Sequence, residues 1–151
     1  RTMAAEDSGA TRWRWALAGG AILTAWDVAM EVQMTHVKPV HWLWEMDRLP
    51  AWMPAWTHDT LFWRGFYDMP LSNWVGWYVT GVLISRLMLA LVPPTTWRDR
   101  IAPTWLPLAL YATNGLMPIA VTARYGYTGA ALGGLVAMGL PLWLARRPRT
   151  P

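Results

Sequence analysis

Apolar residues run through this chain in four long blocks, at about residues 13–34, 71–92, 101–123 and 128–145, and only the first two are separated by a long gap. Each block approaches the ~20 residues that a helix rising 1.5 Å per residue needs to cross a hydrocarbon layer of about 30 Å. The pattern predicts an all-α fold: a polytopic transmembrane bundle of about four helices, forming one domain over residues 1–151. No block is purely aliphatic. Asp27 and Glu31 sit in the first, Arg86 in the second, and Pro103, Pro107, Asn114 and Pro118 in the third. Polar side chains and freed backbone groups in lipid need partners on neighbouring helices, which argues for a packed bundle over isolated anchors.

The gap, residues 35–70, is too long for a turn and too aromatic for a disordered linker. It holds Trp42, Trp44, Trp52, Trp56, Phe62, Trp63, Phe66 and Tyr67 among His41, Glu45, Asp47, Arg48, His58, Asp59 and Arg64. This mixture predicts one or two short amphipathic helices in the outer interface, broken near Pro50 and Pro54 and forming a lid over the bundle. In the fourth block Gly129, Gly133, Gly134, Ala137 and Gly139 predict close helix packing, with a groove for a flat polyene as the sharper reading.

Composition agrees with a membrane setting. The chain is 54% hydrophobic and 15% charged, against roughly 25% charged in soluble domains. Thirteen Trp against two Phe suit interfaces, where one ring edge is buried and the N–H stays wet. If the blocks alternate in direction, one side holds Arg1, Arg12, Arg14, Arg98, Arg100, Arg146, Arg147 and Arg149, with Arg86 snorkelling toward it. The other side holds Lys38, Arg48, Arg64 and Arg124. Nine cations against four predict both termini in the cytoplasm of a multi-pass protein of a bacterial inner membrane, cytoplasmic or intracytoplasmic. The net charge of +4 is thereby assigned to topology, and no nucleic-acid partner is expected. The first residue is Arg, so a missing initiator or upstream piece is expected. No apolar run precedes Trp13 in the manner of a cleavable signal.

Absence of cysteine removes disulfides, thiolate metal sites and cysteine nucleophiles. No Gly-rich phosphate loop or nucleophile motif is present, so hydrolase and nucleotide chemistry lack support. His36, His41 and Glu45 have no convincing metal-ligand spacing, and interfacial hydrogen bonding is their expected role. Asp27 and Glu31 are four apart, hence on one helix face. Two neighbouring carboxyls in hydrocarbon are costly as anions, and a pair that retains a proton can serve as a general acid. Two ordinary roles stand beside this one: Asp27 bonded to Arg86 or Asn114, and Glu31 reaching the outer interface.

Three motifs in order carry a resemblance to a known family: WDVAMEVQM from Trp26 to Met34, Trp42-Leu43-Trp44-Glu45, and FYDMPLSNWVGWYVTG from Phe66 to Gly81. With them the chain resembles the carotenoid biosynthesis membrane proteins of the carotenoid hydratase type, the group that includes bisanhydrobacterioruberin hydratase. The family pattern has an Asp followed four on by Asp-Pro and Gln-Met, then Trp-x-Trp, then an aromatic pair with Gly-x-Pro-x-x-Asn-x-x-Gly-Trp. Asp27, Gln33, Met34, Trp42, Trp44, Pro70, Asn73, Gly76 and Trp77 fit it. Glu31 and Val32 depart from the Asp-Pro pair, and Asp68 replaces the small residue before Met69-Pro70. The likeness lies mostly in residues 26 to 81, and the chain looks like the C-terminal half of a family member.

The resemblance implies water addition to the terminal double bond of an acyclic carotenoid, with Asp27 and Glu31 as acids and Asn73 orienting the water. Trp26, Trp42, Trp44, Trp74 and Trp77 are the expected pigment or polyene contacts. No cofactor is required; a carotenoid or other pigment is the implied ligand or substrate. A second reading makes the chain a pigment-contacting accessory subunit of a photosynthetic, light-harvesting or reaction-centre complex. Its partners would be the lipid bilayer, carotenoid or bacteriochlorophyll-type pigments and other transmembrane subunits. The half-length chain, the altered carboxylate motif and the surplus of Trp favour this subunit reading.

Overall fold

A computed structural model of the chain describes residues 8–44, 66–101 and 104–145. Four long helices account for most of them: α1 Gly9–His36, α2 Leu71–Leu91, α3 Leu106–Arg124 and α4 Thr128–Ala145. A 3-10 turn, Phe66–Asp68, precedes α2; a helical turn, Pro94–Thr96, and a π-type turn, Trp97–Ile101, follow it. There is no strand among the described residues.

The boundaries follow local chemistry. Ser8 starts α1, its hydroxyl accepting the Thr11 N–H at 3.2 Å, so the helix begins earlier than the apolar block. It gains about a turn at the N-terminus and ends at His36. Pro70, extended at φ −69°, precedes the first turn of α2, and Pro107 lies in the first turn of α3, where a missing N–H costs least. The third helix therefore starts at Leu106, not near Ile101. The glycine turn at Gly126, φ +84°, separates α3 from α4.

Helix α1 is the hub, packing against α2, α4 and α3, while α3 and α4 pack together. The α1–α2 seam is close because both sides lack side chains: a Cβ on Gly81 would stand 2.8 Å from the Gly20 Cα, and one on Gly20 would stand 2.8 Å from the Tyr78 carbonyl oxygen. On α4, a Cβ on Gly134 would meet Ala29 of α1 at 2.6 Å. Such approaches gain dispersion energy where water supplies no hydrophobic drive.

A few polar side chains are buried with the small apolar ones, and many large apolar side chains face outward. Buried side chains include Asp27, Glu31, Thr35 and Thr122, whereas Leu83, Leu87 and Leu91 of α2, Leu108 and Leu116 of α3, and Leu132, Val136 and Leu140 of α4 are exposed. Helices α2 and α3 are long and apolar enough to cross a membrane, and little of either is buried. The apolar part of α4, Thr128–Trp143, is shorter. Arg12, Arg14, Asp27 and Glu31 interrupt the longer α1.

Where the 35–70 gap is described, it is not an amphipathic helix. Residues 37–44 are non-helical, and Phe66–Asp68 make a single turn with Tyr67 at φ 53° and Asp68 at φ 59°. The breaks expected at Pro50 and Pro54, and Glu45, Asp47, Arg48, Trp52, Trp56, His58, Asp59, Trp63 and Arg64, lie outside the described residues.

Candidate functional site

The i,i+4 spacing on α1 turns Asp27 and Glu31 to one face, and both carboxyls are buried, at 0% and 1% exposure. Each is met by a different element. Asn73, in the first turn of α2, donates from Nδ2 to Asp27 Oδ2 at 3.0 Å. Trp42 and Trp44 donate from their indole nitrogens to Glu31 Oε1 at 2.9 and 2.6 Å. The non-helical backbone after α1 explains the second arrangement. Residues two apart point the same way on an extended chain, whereas on a helix they diverge. A bond from the His41 N–H to the Met34 carbonyl, 2.9 Å, folds the segment back over the end of α1. Thr35, next on the carboxyl face, bonds the Glu31 carbonyl at 2.8 Å.

The ordinary roles considered for the pair do not occur. Asp27 is held by Asn73, not by Arg86 or Asn114, and Glu31 is enclosed and bonded by Trp42 and Trp44. Arg86 lies instead with its guanidinium 5.5 Å from the Trp13 ring centroid. Asp27 Oδ1 is buried and takes no hydrogen bond among the described residues. A buried carboxyl oxygen without a partner is costly as an anion, and it is the atom on which a proton can reside.

Beside the pair lies an open groove of about 500 Å³, lined by Trp44, Pro70, Ser72, Asn73, Gly76, Trp77 and Thr80. Its floor is one face of α2, the residues recurring at i, i+4 and i+8. Asn73 joins groove to carboxyl: it lines the one and bonds the other. Trp44 does the same for Glu31. The carboxyls thus stand one side chain behind the groove wall.

Of the five expected pigment-contacting tryptophans, Trp44 and Trp77 line the groove. Trp42 is spent on Glu31. Trp26 meets Trp77 edge-on, centroids 6.3 Å apart, and its Nε1 donates to the Asn114 carbonyl on α3 at 2.9 Å. That acceptor is open because Pro118, four residues on, has no N–H to give it. Trp74 faces away from the groove and packs on Phe66, centroids 6.0 Å apart. Reading the sequence alone missed Ser72 and Thr80 as lining residues, and Met69, 1% exposed, whose sulfur lies 3.2 Å from Asn73 Nδ2. The signal was there in Ser72, Gly76 and Thr80, a small and polar row at four-residue spacing in an apolar helix.

A second cluster gathers at the C-terminal end of α1. His36 touches the rings of Tyr67 and Tyr127 edge-on, at 5.9 and 5.5 Å, its Nδ1 is 2.7 Å from the Thr35 hydroxyl, and Tyr127 donates to the His36 carbonyl. His41 is exposed. Among the described residues no three His, Asp or Glu side chains converge as a metal site would require.

Taken together, the site offers a buried carboxyl with an oxygen unpartnered among the described residues, an amide that reaches both it and the groove, and two indoles in the groove lining. No curated protein matches the chain, and no solved structure does. A family model described as carotenoid biosynthesis protein matches residues 2–141, well beyond the 26–81 that carry the motifs. With nearly its whole length so matched, the chain belongs to the carotenoid biosynthesis protein family.

Proposed function

We propose that the chain adds water to the terminal double bond of an acyclic carotenoid by acid catalysis inside the membrane. The observation that carries this reading is Asp27 Oδ1, a buried carboxyl oxygen without a hydrogen-bond partner among the described residues, on a side chain whose other oxygen is held by a groove residue. Asn73 turns aside to admit the polyene end, and Asp27 gives its proton to the CH carbon of the isopropylidene group. The π pair forms the new C–H bond and leaves a tertiary cation on the adjoining carbon. Water attacks that carbon, its oxygen forming the C–O bond, and the surplus proton returns to the Asp27 carboxylate. The product is the substrate plus one water, with the acid regenerated. The electron-rich faces of Trp44 and Trp77 stabilise the cation. The Asn73 amide orients the water, and Glu31 fixes Trp44 in the wall.

One placement favours a second reading. Because Asp27 and Glu31 sit behind the groove wall, they also suit a bracing role in a pigment-holding accessory subunit of a larger membrane complex. In that case a carotenoid or bacteriochlorophyll-type pigment occupies the groove without turnover. In both readings the four long helices cross a bacterial inner membrane with the termini in the cytoplasm, which the distribution of arginines supports.

The test is incubation of membranes containing the chain with an acyclic carotenoid, followed by mass analysis for a product heavier by one water. Asp27→Asn keeps the shape and removes the acid, so product formation should fall by about 10²–10⁴-fold. Unchanged turnover in that variant would remove Asp27 from the reaction. A wild-type protein that purifies coloured and yields no product would instead establish the subunit reading.

A further inference from the structure

We infer that Gly76 is the ligand-contact floor of the groove, the position at which a flat conjugated chain lies against the backbone of α2, and so determines which ligands the site accepts. The inference rests on the reading that the groove takes a carotenoid, and it adds the residue that selects for one. Glycine inside a helix weakens it relative to alanine, so a glycine there calls for a physical reason. At Gly20, Gly81 and Gly134 the reason is a neighbouring helix that a Cβ would strike at 2.6–2.8 Å. Gly76 has no such neighbour: among the described residues nothing lies within 4 Å of the place its Cβ would take. Nor is there a conformational reason, since Gly76 lies within the regular helix α2 and lacks the positive φ of Gly126. What remains is the groove that it lines.

The surroundings say what the space fits. Ser72 and Thr80 lie one turn to either side, roughly 6 Å along the axis. Trp44 and Trp77 also line the groove. A bare helix backbone in a groove that two indoles also line is a surface that a planar π-system can approach to a contact distance of about 3.5–4.0 Å. A saturated acyl chain, round in section and rotating about every bond, gains less from such a surface and loses more freedom on it. The chemical class that matches is a conjugated polyene, in preference to the lipid tails that surround the protein.

The experiment is binding, not turnover. The full chain in detergent is mixed with lycopene, an acyclic polyene, and pigment retained through gel filtration is read from its visible absorption. Wild type should retain pigment. Gly76→Ala should weaken retention by about tenfold, the order of loss when one methyl group disturbs an apolar contact surface, and Gly76→Leu should abolish it. Val79→Leu, on the same helix at an exposed position outside the groove lining, should bind as wild type does. Retention by Gly76→Leu equal to wild type would overturn the assignment of Gly76 and leave the carotenoid reading standing. Failure of wild type to retain lycopene would overturn both. Should Gly76→Leu not fold, Gly76→Ala decides the matter alone, because alanine strengthens a helix and any loss of pigment then reports the groove.

Discussion

Asp68 departs from the motif that it sits in, and its backbone explains what the motif asks for. The resemblance places a glycine there, and the chain takes up φ 59° at Asp68, directly after φ 53° at Tyr67. The left-handed region costs a residue with a Cβ roughly 1–2 kcal/mol, and Asp is among the few that enter it with less penalty. Asp68→Gly is therefore expected to raise the unfolding midpoint of the detergent-solubilised protein, by about 0.5–1 kcal/mol in stability, while Asp68→Val lowers it. The carboxylate is no obstacle: its approach to His36 is 4.0 Å long with Asp68 88% exposed, and such pairs contribute little. A lower midpoint for Asp68→Gly would show that the Asp side chain does something that the φ angle does not reveal. Other single residues were legible for different reasons. Asp27 and Glu31 were readable as a pair because helical spacing fixes their common face. Their partners were not, because Trp42, Trp44 and Asn73 reach them from elements 11 to 46 residues away.

At the scale of elements, the third helix shows where periodicity stops informing. Hydropathy carries straight across from Ile101, but Trp97–Ile101 is a π-type turn and α3 begins at Leu106, a boundary set by proline and not by polarity. Pro118, expected only to need help from a neighbour, has a specific helper: the carbonyl that it frees on Asn114 is bonded by Trp26 of α1. This couples α1 to α3 through one hydrogen bond, of a kind worth about 0.6 kcal/mol on average and up to about 1.7 within membrane helices. Trp26→Phe should destabilise the protein by that order. Pro118→Ala restores an N–H that competes for the same carbonyl, so in its background Trp26→Phe should cost clearly less. The coupling energy of the double-mutant cycle, read from unfolding in denaturing detergent, is expected at about 0.5–1 kcal/mol. Strict additivity would mean that the indole and the proline act independently, and the brace would then be an accident of packing.

For the whole molecule the question is how many times the chain crosses the bilayer, and it turns on α1 and α4. Helices α2 and α3 have both the length and the apolar surface for a span. Helix α1 carries charged residues, but its 28 residues extend roughly 42 Å, more than the hydrocarbon thickness. Its two carboxyls are turned inward and bonded, while Arg12 and Arg14 lie at its first turns, where they can reach the headgroups. A carboxyl pair so enclosed is compatible with lipid outside it, which removes the main objection to a crossing. Helix α4 is short in apolar length, yet Leu132, Leu135, Val136 and Leu140 are exposed on it, and an interface-bound helix would present a polar face that α4 lacks. Four crossings require Ser8 and Arg100 to share one compartment, and Lys38 and Tyr125 the other. The chain has no cysteine, so each engineered cysteine is the sole target of a membrane-impermeant maleimide. In right-side-out vesicles Lys38→Cys and Tyr125→Cys should label, and Ser8→Cys, Arg100→Cys and Thr150→Cys should label only after the membrane is opened. Labelling of Ser8→Cys and Lys38→Cys from the same side would take α1 out of the bilayer. The Asp27–Asn73 contact would then lie at the surface, where water competes for every proton, and the acid chemistry assigned to it would lose the dry setting on which it depends.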